Sequence, residues 1–281
     1  MKQSLFIVLI LVTGSLLMYP LSALAEGDAE GKPIAETSKE KKVIVPQSPP
    51  SGEQKEKEDS KVSESQGQKS TTPVNTPVYQ PPLRGAPGGR VGGGTRGIGD
   101  EFITLFALVP NHVGLTVQGQ PTLYWYLSKA TDLPIEVTII EDQSIFPLLE
   151  KRISIPVQPG INRIRLADSA VFLPLGKQYR WFIAAVPAPD RRSKDIIAGG
   201  MIERVELPEA LRVKLSQADK RNIPSIYAES GIWYDTITAI SELIEAYPND
   251  TNLRKQRAAL LEQVGLSQVA QHEMNRSGAV R

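Results

Sequence analysis

The chain has 281 residues, 41% of them hydrophobic, a formal net charge of +1 and no cysteine. That length allows one or two domains, and the near-zero charge leaves no electrostatic footprint for nucleic acid or an anionic membrane. Without cysteine there are no disulfides, thiol nucleophiles, Cys-based zinc sites or iron–sulfur clusters, so the fold must be held by packing alone.

Residues 1–25 read as a cleavable secretory signal peptide. Lys2 supplies a positive start, and Leu5 to Met18 is apolar except for Thr13, Gly14 and Ser15. Ala23-Leu24-Ala25 then fits the small-x-small cleavage pattern, which puts the cut between Ala25 and Glu26. The apolar run of about 14 residues falls short of the roughly 20 that span a bilayer. The expectation is an exported protein, periplasmic or extracellular, with no stable membrane insertion after cleavage.

Residues 26–82 are rich in Pro, Ser, Lys, Glu and Gln, with almost no large apolar side chains. A segment of that composition cannot bury enough surface to offset its chain entropy, which predicts a disordered linker. Residues 83–100 form a Gly/Arg-rich flexible segment, Arg84-Gly85-Ala86-Pro87-Gly88-Gly89-Arg90-Val91-Gly92-Gly93-Gly94-Thr95-Arg96-Gly97. It lacks the Gly-Lys-Ser/Thr ending of a phosphate-binding loop and a strand before it. Arg84, Arg90 and Arg96 are candidate contacts to an anion or a partner, because guanidinium forks suit carboxylates and phosphates. A glycine hinge is the simpler account of the same residues.

From residue 101 to 207 the pattern alternates with period two. Ile103 to Val109 opens it. Leu123, Trp125 and Leu127 oppose Tyr124 and Tyr126, and Ile135, Val137 and Ile139 follow. Ile153 to Val157, Ile164 with Leu166, Tyr179 to Ala185, and Val205 with Leu207 behind Gly199-Gly200 complete about seven strands. This spacing predicts a β-sandwich of immunoglobulin or fibronectin type. Leu173-Pro174-Leu175-Gly176-Lys177-Gln178-Tyr179 has the form of a tyrosine corner, and Trp125, Tyr179 and Trp181 are candidate core residues.

Residues 208–274 switch to helical period, forming a small C-terminal α-helical subdomain. Leu211 and Leu215 mark a first helix. Trp233, Ile237, Ile240, Ile244 and Tyr247 make a stripe ended by Pro248, with Tyr234, Leu243 and Ala246 beside it. Asn249 or Asp250 caps a helix that stops at Gly265, and a short one follows from Ser267 to Glu273. The spacing of Tyr227, Gly231, Trp233 and Ile237 resembles one tetratricopeptide-type hairpin. Pro224 is expected to break or shorten its first helix, and there is no second copy at that period. Residues 275–281 are expected to be a flexible tail.

The Arg84–Gly88 and Gly92–Gly97 runs stand with Pro121-Thr122-Leu123-Tyr124-Trp125-Tyr126 and Tyr179-Arg180-Trp181. Adding Tyr227-Ala228-Glu229-Ser230-Gly231-Ile232-Trp233-Tyr234-Asp235 and Leu260 to Leu266, the chain resembles domain-of-unknown-function family 928 from about Leu83 to His272. The resemblance implies an exported protein of largely cyanobacterial distribution with no assigned activity and no functional residues to carry over. Members often have a cysteine where this chain has Val186-Pro187-Ala188, and a tryptophan near Gln256.

Nothing in the sequence assembles a catalytic site. His112 and His272 fall in different regions, neither in a nucleophile context, and both are expected on the surface. No clustered metal ligands appear, and Glu141-Asp142 lacks a spaced calcium loop around it. The expectation is a non-catalytic interaction or scaffold module of the cell envelope without a cofactor, its partner an envelope protein or a glycan. The alternative is a carbohydrate-binding or glycan-active protein that stacks sugars on exposed Tyr124 and Tyr126.

Overall fold

A computed structural model describes residues 76–82, 89–98 and 101–278. They belong to the unit Gly67–Arg281, the other unit of the chain, Met1–Gln66, lying outside the described residues. The signal-peptide expectation, with Ala25 and Glu26, and most of the linker expectation therefore lie outside them as well.

Ten strands appear in chain order: β1 (Arg90–Gly92), β2 (Gly94–Ile98), β3 (Glu101–Ala107), β4 (Gly114–Thr116), β5 (Thr122–Leu127), β6 (Ile135–Glu141), β7 (Pro147–Ile153), β8 (Gly160–Arg165), β9 (Gln178–Ala185) and β10 (Ile196–Arg204). They make two mostly antiparallel sheets. One has the order β1-β10-β9-β6-β7, with β4 parallel to the end of β10; the other runs β2-β3-β5-β8. The inward side chains of both, including Leu105, Leu123, Trp125, Leu127, Val137, Ile139, Trp181 and Ile183, join one continuous core.

Five helices follow: α1 (Glu209–Gln217), α2 (Ile223–Glu229), α3 (Trp233–Ala246), α4 (Thr251–Gln263) and α5 (Ser267–Gly278). The apolar faces of α3, α4 and α5 supply Trp233, Ile237, Ile240, Leu260, Leu261 and Val269 to that same core. Leu211 of α1 and Ile226 of α2 form a smaller cluster with Ile232.

Several boundaries differ from the pattern-based expectation. The glycine-rich segment holds strands β1 and β2, so residues 90–98 are not a flexible hinge. β10 runs through Gly199 and Gly200, whereas alternation pointed to Val205 and Leu207. A Cβ on Gly199 would lie 2.3 Å from the Trp181 carbonyl oxygen, and one on Gly200 2.6 Å from Val109. These glycines let neighbouring chain pack closely, which is why the strand looks broken in the sequence. β7 ends at Ile153, where alternation had placed a strand beginning. Pro224 opens α2 from its first turn, where its missing N–H has no helical partner to lose. α5 continues to Gly278, so the flexible-tail expectation fails for residues 275–278.

The linker expectation also needs correction at its end. Residues 76–82 lie packed on the helices, with Tyr79 7% exposed. The Gln80 amide donates to the Ala228 carbonyl at 3.0 Å. The Tyr79 amide donates to Gln263 Oε1 at 2.8 Å, and Gln263 Nε2 returns a bond to the Pro77 carbonyl at 2.9 Å. One buried aromatic with three polar anchors gives this stretch what its composition lacks.

Candidate functional site

The most chemically distinctive concavity lies where the β4–β5 loop meets α2 and α3. The end of β4 supplies Thr116, the loop after it Gln118 and Gln120, and the helices Tyr227, Asp235, Thr238 and Glu242, around a cleft of about 330 Å³. Local chemistry explains the placement. Gly231 takes φ +74° at the turn after α2, and a Cβ there would come within 2.8 Å of the Gln80 carbonyl oxygen. That turn starts α3 at Trp233 and brings Asp235 into its first turn, where the helix dipole favours a carboxylate.

Asp235 reaches from the helix to the sheet end. Its Oδ2 accepts from the Thr116 hydroxyl at 2.8 Å and from the Val117 amide at 3.2 Å. Its Oδ1 is buried with no hydrogen-bond partner. The residue is 5% exposed, and burial raises its pKa to about 6 against the opposing pull of Thr116, Val117 and Gln118. Tyr234 backs the cleft: its hydroxyl accepts from Trp181 Nε1 at 2.8 Å and donates to the Met201 carbonyl at 3.0 Å. Burial drives that phenol far above its ordinary range. The floor is buried and hydrogen-bonded, and the rim is polar.

The residues singled out from sequence fall elsewhere. Arg84 and the side chain of Arg96 lie outside the described residues. Arg90 is not available to an anion. Its Nη2 donates to the Val109 carbonyl at 2.8 Å and also to the Val264 carbonyl, while Nη1 reaches the Gly265 carbonyl at 3.3 Å. A guanidinium that joins backbone of the sheet region to backbone at the end of α4 is a clamp. Tyr124 and Tyr126 are 4% and 6% exposed, so neither is a stacking platform. Both faces of β5 are covered, one by the sheet core and the other by helices. Tyr126 meets the His272 ring of α5 edge-on at 5.0 Å.

The histidines are half-buried at packing interfaces, not on the open surface. His112 stacks on Tyr79 at 5.9 Å. His272 keeps Nε2 buried without a partner, and burial lowers its pKa. Glu141 and Asp142 are held by Lys177 and Arg180. Among the described residues no group of three His, Asp or Glu side chains stands close enough to hold a metal ion.

A family model for Domain of Unknown Function (DUF928) matches residues 91–274. The chain belongs to the DUF928 family. A comparison with curated proteins finds no match. The DUF928 match spans β2–β10 and all five helices but for the end of α5, so sheets and helices lie within one family unit. Asp235 ends the Gly231-Ile232-Trp233-Tyr234-Asp235 run on which the resemblance rests, yet the sequence alone assigned it no role. The available signal was an acid inside an otherwise buried helical stripe, where a charge needs a specific partner.

Proposed function

We propose that this DUF928 protein is an exported, non-catalytic interaction module of the cell envelope, whose β6–β7 hairpin receives an extended segment of a partner protein. The observation that carries this reading is the hairpin tip, where Ile145 is 84% and Phe146 76% exposed. Leu148 follows at 45%. Neighbouring large apolar side chains in water mark a surface that is covered in use. Among the described residues β7 pairs with β6 alone, so its outer edge offers free N–H and C=O groups for strand addition. The charges Glu150, Lys151 and Arg152 keep that edge from pairing indiscriminately. Export rests on the Lys2-to-Ala25 pattern. The glycan alternative loses its support with the burial of Tyr124 and Tyr126.

We also infer an immunoglobulin- or fibronectin-like identity for the sheets. It is supported by β3-β5-β8 lying in one sheet and β10-β9-β6-β7 in the other, and by Gly176 preceding a buried Tyr179. The α2–α3 pair as one tetratricopeptide-type hairpin is supported by the spacing of Tyr227, Gly231, Trp233 and Ile237.

The test is a photo-reactive phenylalanine analogue at position 146, irradiated in the native host. A discrete protein adduct is expected, absent when the analogue replaces Phe172, which is also exposed. A glycan adduct, or none, at position 146 would overturn the reading.

A further inference from the structure

We propose that the groove between the β3–β4 connection and helices α2 to α4 is a docking site for an extended Pro-x-Tyr segment of a partner protein, which residues 76–82 fill in cis as a displaceable self-ligand. The groove is separate from the β7 edge and stands whether or not that edge binds a partner.

The segment is seated as a bound peptide would be. It forms no strand or helix, and burial alternates along it: Pro77 and Tyr79 are buried, while Val78 and Gln80 are exposed. Extended peptides are recognised in this way, by pockets for alternate side chains and hydrogen bonds to the backbone. Tyr79 enters between two rings, stacked on His112 at 5.9 Å and edge-on to Trp233 at 4.9 Å. Its hydroxyl lies 3.3 Å from His112 Nε2. The Gln263 side chain takes the place of a neighbouring strand, accepting from the Tyr79 amide at 2.8 Å and donating to the Pro77 carbonyl at 2.9 Å. A third bond joins the Gln80 amide to the Ala228 carbonyl at 3.0 Å. Gly231 leaves room for the chain, since a Cβ there would lie 2.8 Å from the Gln80 carbonyl oxygen.

His112, Ala228, Gly231, Trp233 and Gln263 all lie inside the DUF928 match of residues 91–274, whereas the segment lies before it. The groove is thus part of the family unit and its filler is not. The contacts also define the occupant. Bonds to backbone are indifferent to side chains, so selection falls on a proline and, two residues on, a tyrosine. Residues 73–83 carry no charge, and Pro73, Pro81 and Pro82 flank the buried pair. Prolines hold such a chain extended before it binds, which lowers the entropy lost on docking. Because the segment is tethered to β1, it acts at an effective concentration on the order of 1 mM. A partner segment must outcompete it.

The experiment uses residues 26–281, isotope-labelled, and a synthetic peptide of residues 72–83. In the Tyr79→Ala chain, whose own segment has lost its anchor, the peptide should shift the Trp233 indole and Gln263 side-chain amide signals saturably. The same peptide carrying Tyr79→Ala should not. The wild-type chain should bind the peptide at least about tenfold more weakly, because its own segment competes. No shift in the Tyr79→Ala chain at about 1 mM peptide, the concentration at which the tethered segment acts, would make the segment an integral part of the fold and overturn the proposal. So would equal binding to both chains, which places the peptide elsewhere. If Tyr79→Ala does not fold, hydrogen exchange of the wild-type chain decides. The Tyr79 and Gln80 amides should then be protected at least about tenfold less than those of Trp181 and Ile183 in β9, through openings that leave the sheets intact. Equal protection would overturn displacement. A wild-type chain that sediments as a dimer, and as a monomer with Tyr79→Ala, would give the groove to exchange between copies and overturn a separate partner.

Discussion

Burial and ionisation oppose each other at Asp235. Its pKa rises from 3.8 to about 6 because burial penalises the charged form more than its hydrogen bonds favour it. A carboxyl group raised in the folded state holds more protons there than in the unfolded chain between pH 4 and 6. Stability from this group is thus present at low pH and is lost as pH rises through that window. The size is on the order of 2–3 kcal/mol. Asn at this position carries no charge and retains the acceptor for Thr116 and Val117. Asp235→Asn should therefore unfold at a higher denaturant midpoint than wild type at pH 7. The gap between the two proteins should close towards pH 4. Parallel midpoint curves across pH 4–7 would show that Asp235 is neutralised by something other than its proton.

Helix α3 shows what periodicity can and cannot reveal. The stripe of Trp233, Ile237, Ile240 and Ile244 is buried as its spacing predicts, and Tyr234 and Leu243 are buried beside it. Tyr247 leaves the stripe at 47% exposure and places its ring under the Arg221 guanidinium, 4.7 Å away. Period alone cannot see that the helix end clears the sheet. Trp233 is fully buried, and its indole N–H donates to the Leu108 carbonyl at 2.8 Å. Trp233→Ala should cost about 3–5 kcal/mol, through the cavity left and the carbonyl abandoned. Chemical denaturation followed by near-ultraviolet circular dichroism measures it, and a midpoint within error of wild type would sink this account. β3, β5, β6, β8 and β9 and most helices were legible because their apolar residues recur at the period of the element, whereas β7, half-exposed throughout, and β10, broken by Gly199 and Gly200, were misplaced. β1, β2, β4 and α2 were not legible. They are short, glycine-rich or proline-led, and are held by neighbours such as Arg90, which no local pattern encodes. The cleft was illegible for a related reason. Thr116 and Asp235 are separated by more than a hundred residues in sequence, and only the fold brings them together.

At the scale of the whole molecule, sheets and helices are tied by chain from before the family match as well as by their shared core. Tyr79 stacks on His112 of the β3–β4 connection and meets the Trp233 ring edge-on at 4.9 Å, while its amide is held by Gln263 of α4. Arg90 repeats the tie from β1, joining the carbonyls of Val109 and Val264. The strap formed by residues 76–82 therefore touches both parts at once, and removing it takes away contacts that neither part can replace. A chain beginning at Gly89 should stay folded, since β1 onward keeps its core, but should melt below one beginning at Thr72. Loss of a buried tyrosine worth roughly 3 kcal/mol lowers Tm by about 6–12 °C for a domain of this size. Tyr79→Ala in the longer chain should account for most of that drop, because among the described residues 76–82 it is Tyr79 that joins the hydrophobic core. Calorimetry of the three proteins should give one transition each. Equal Tm values would show that the strap merely rests on the surface. Two separate transitions in the shortened chain would show that the strap is what makes sheets and helices unfold together.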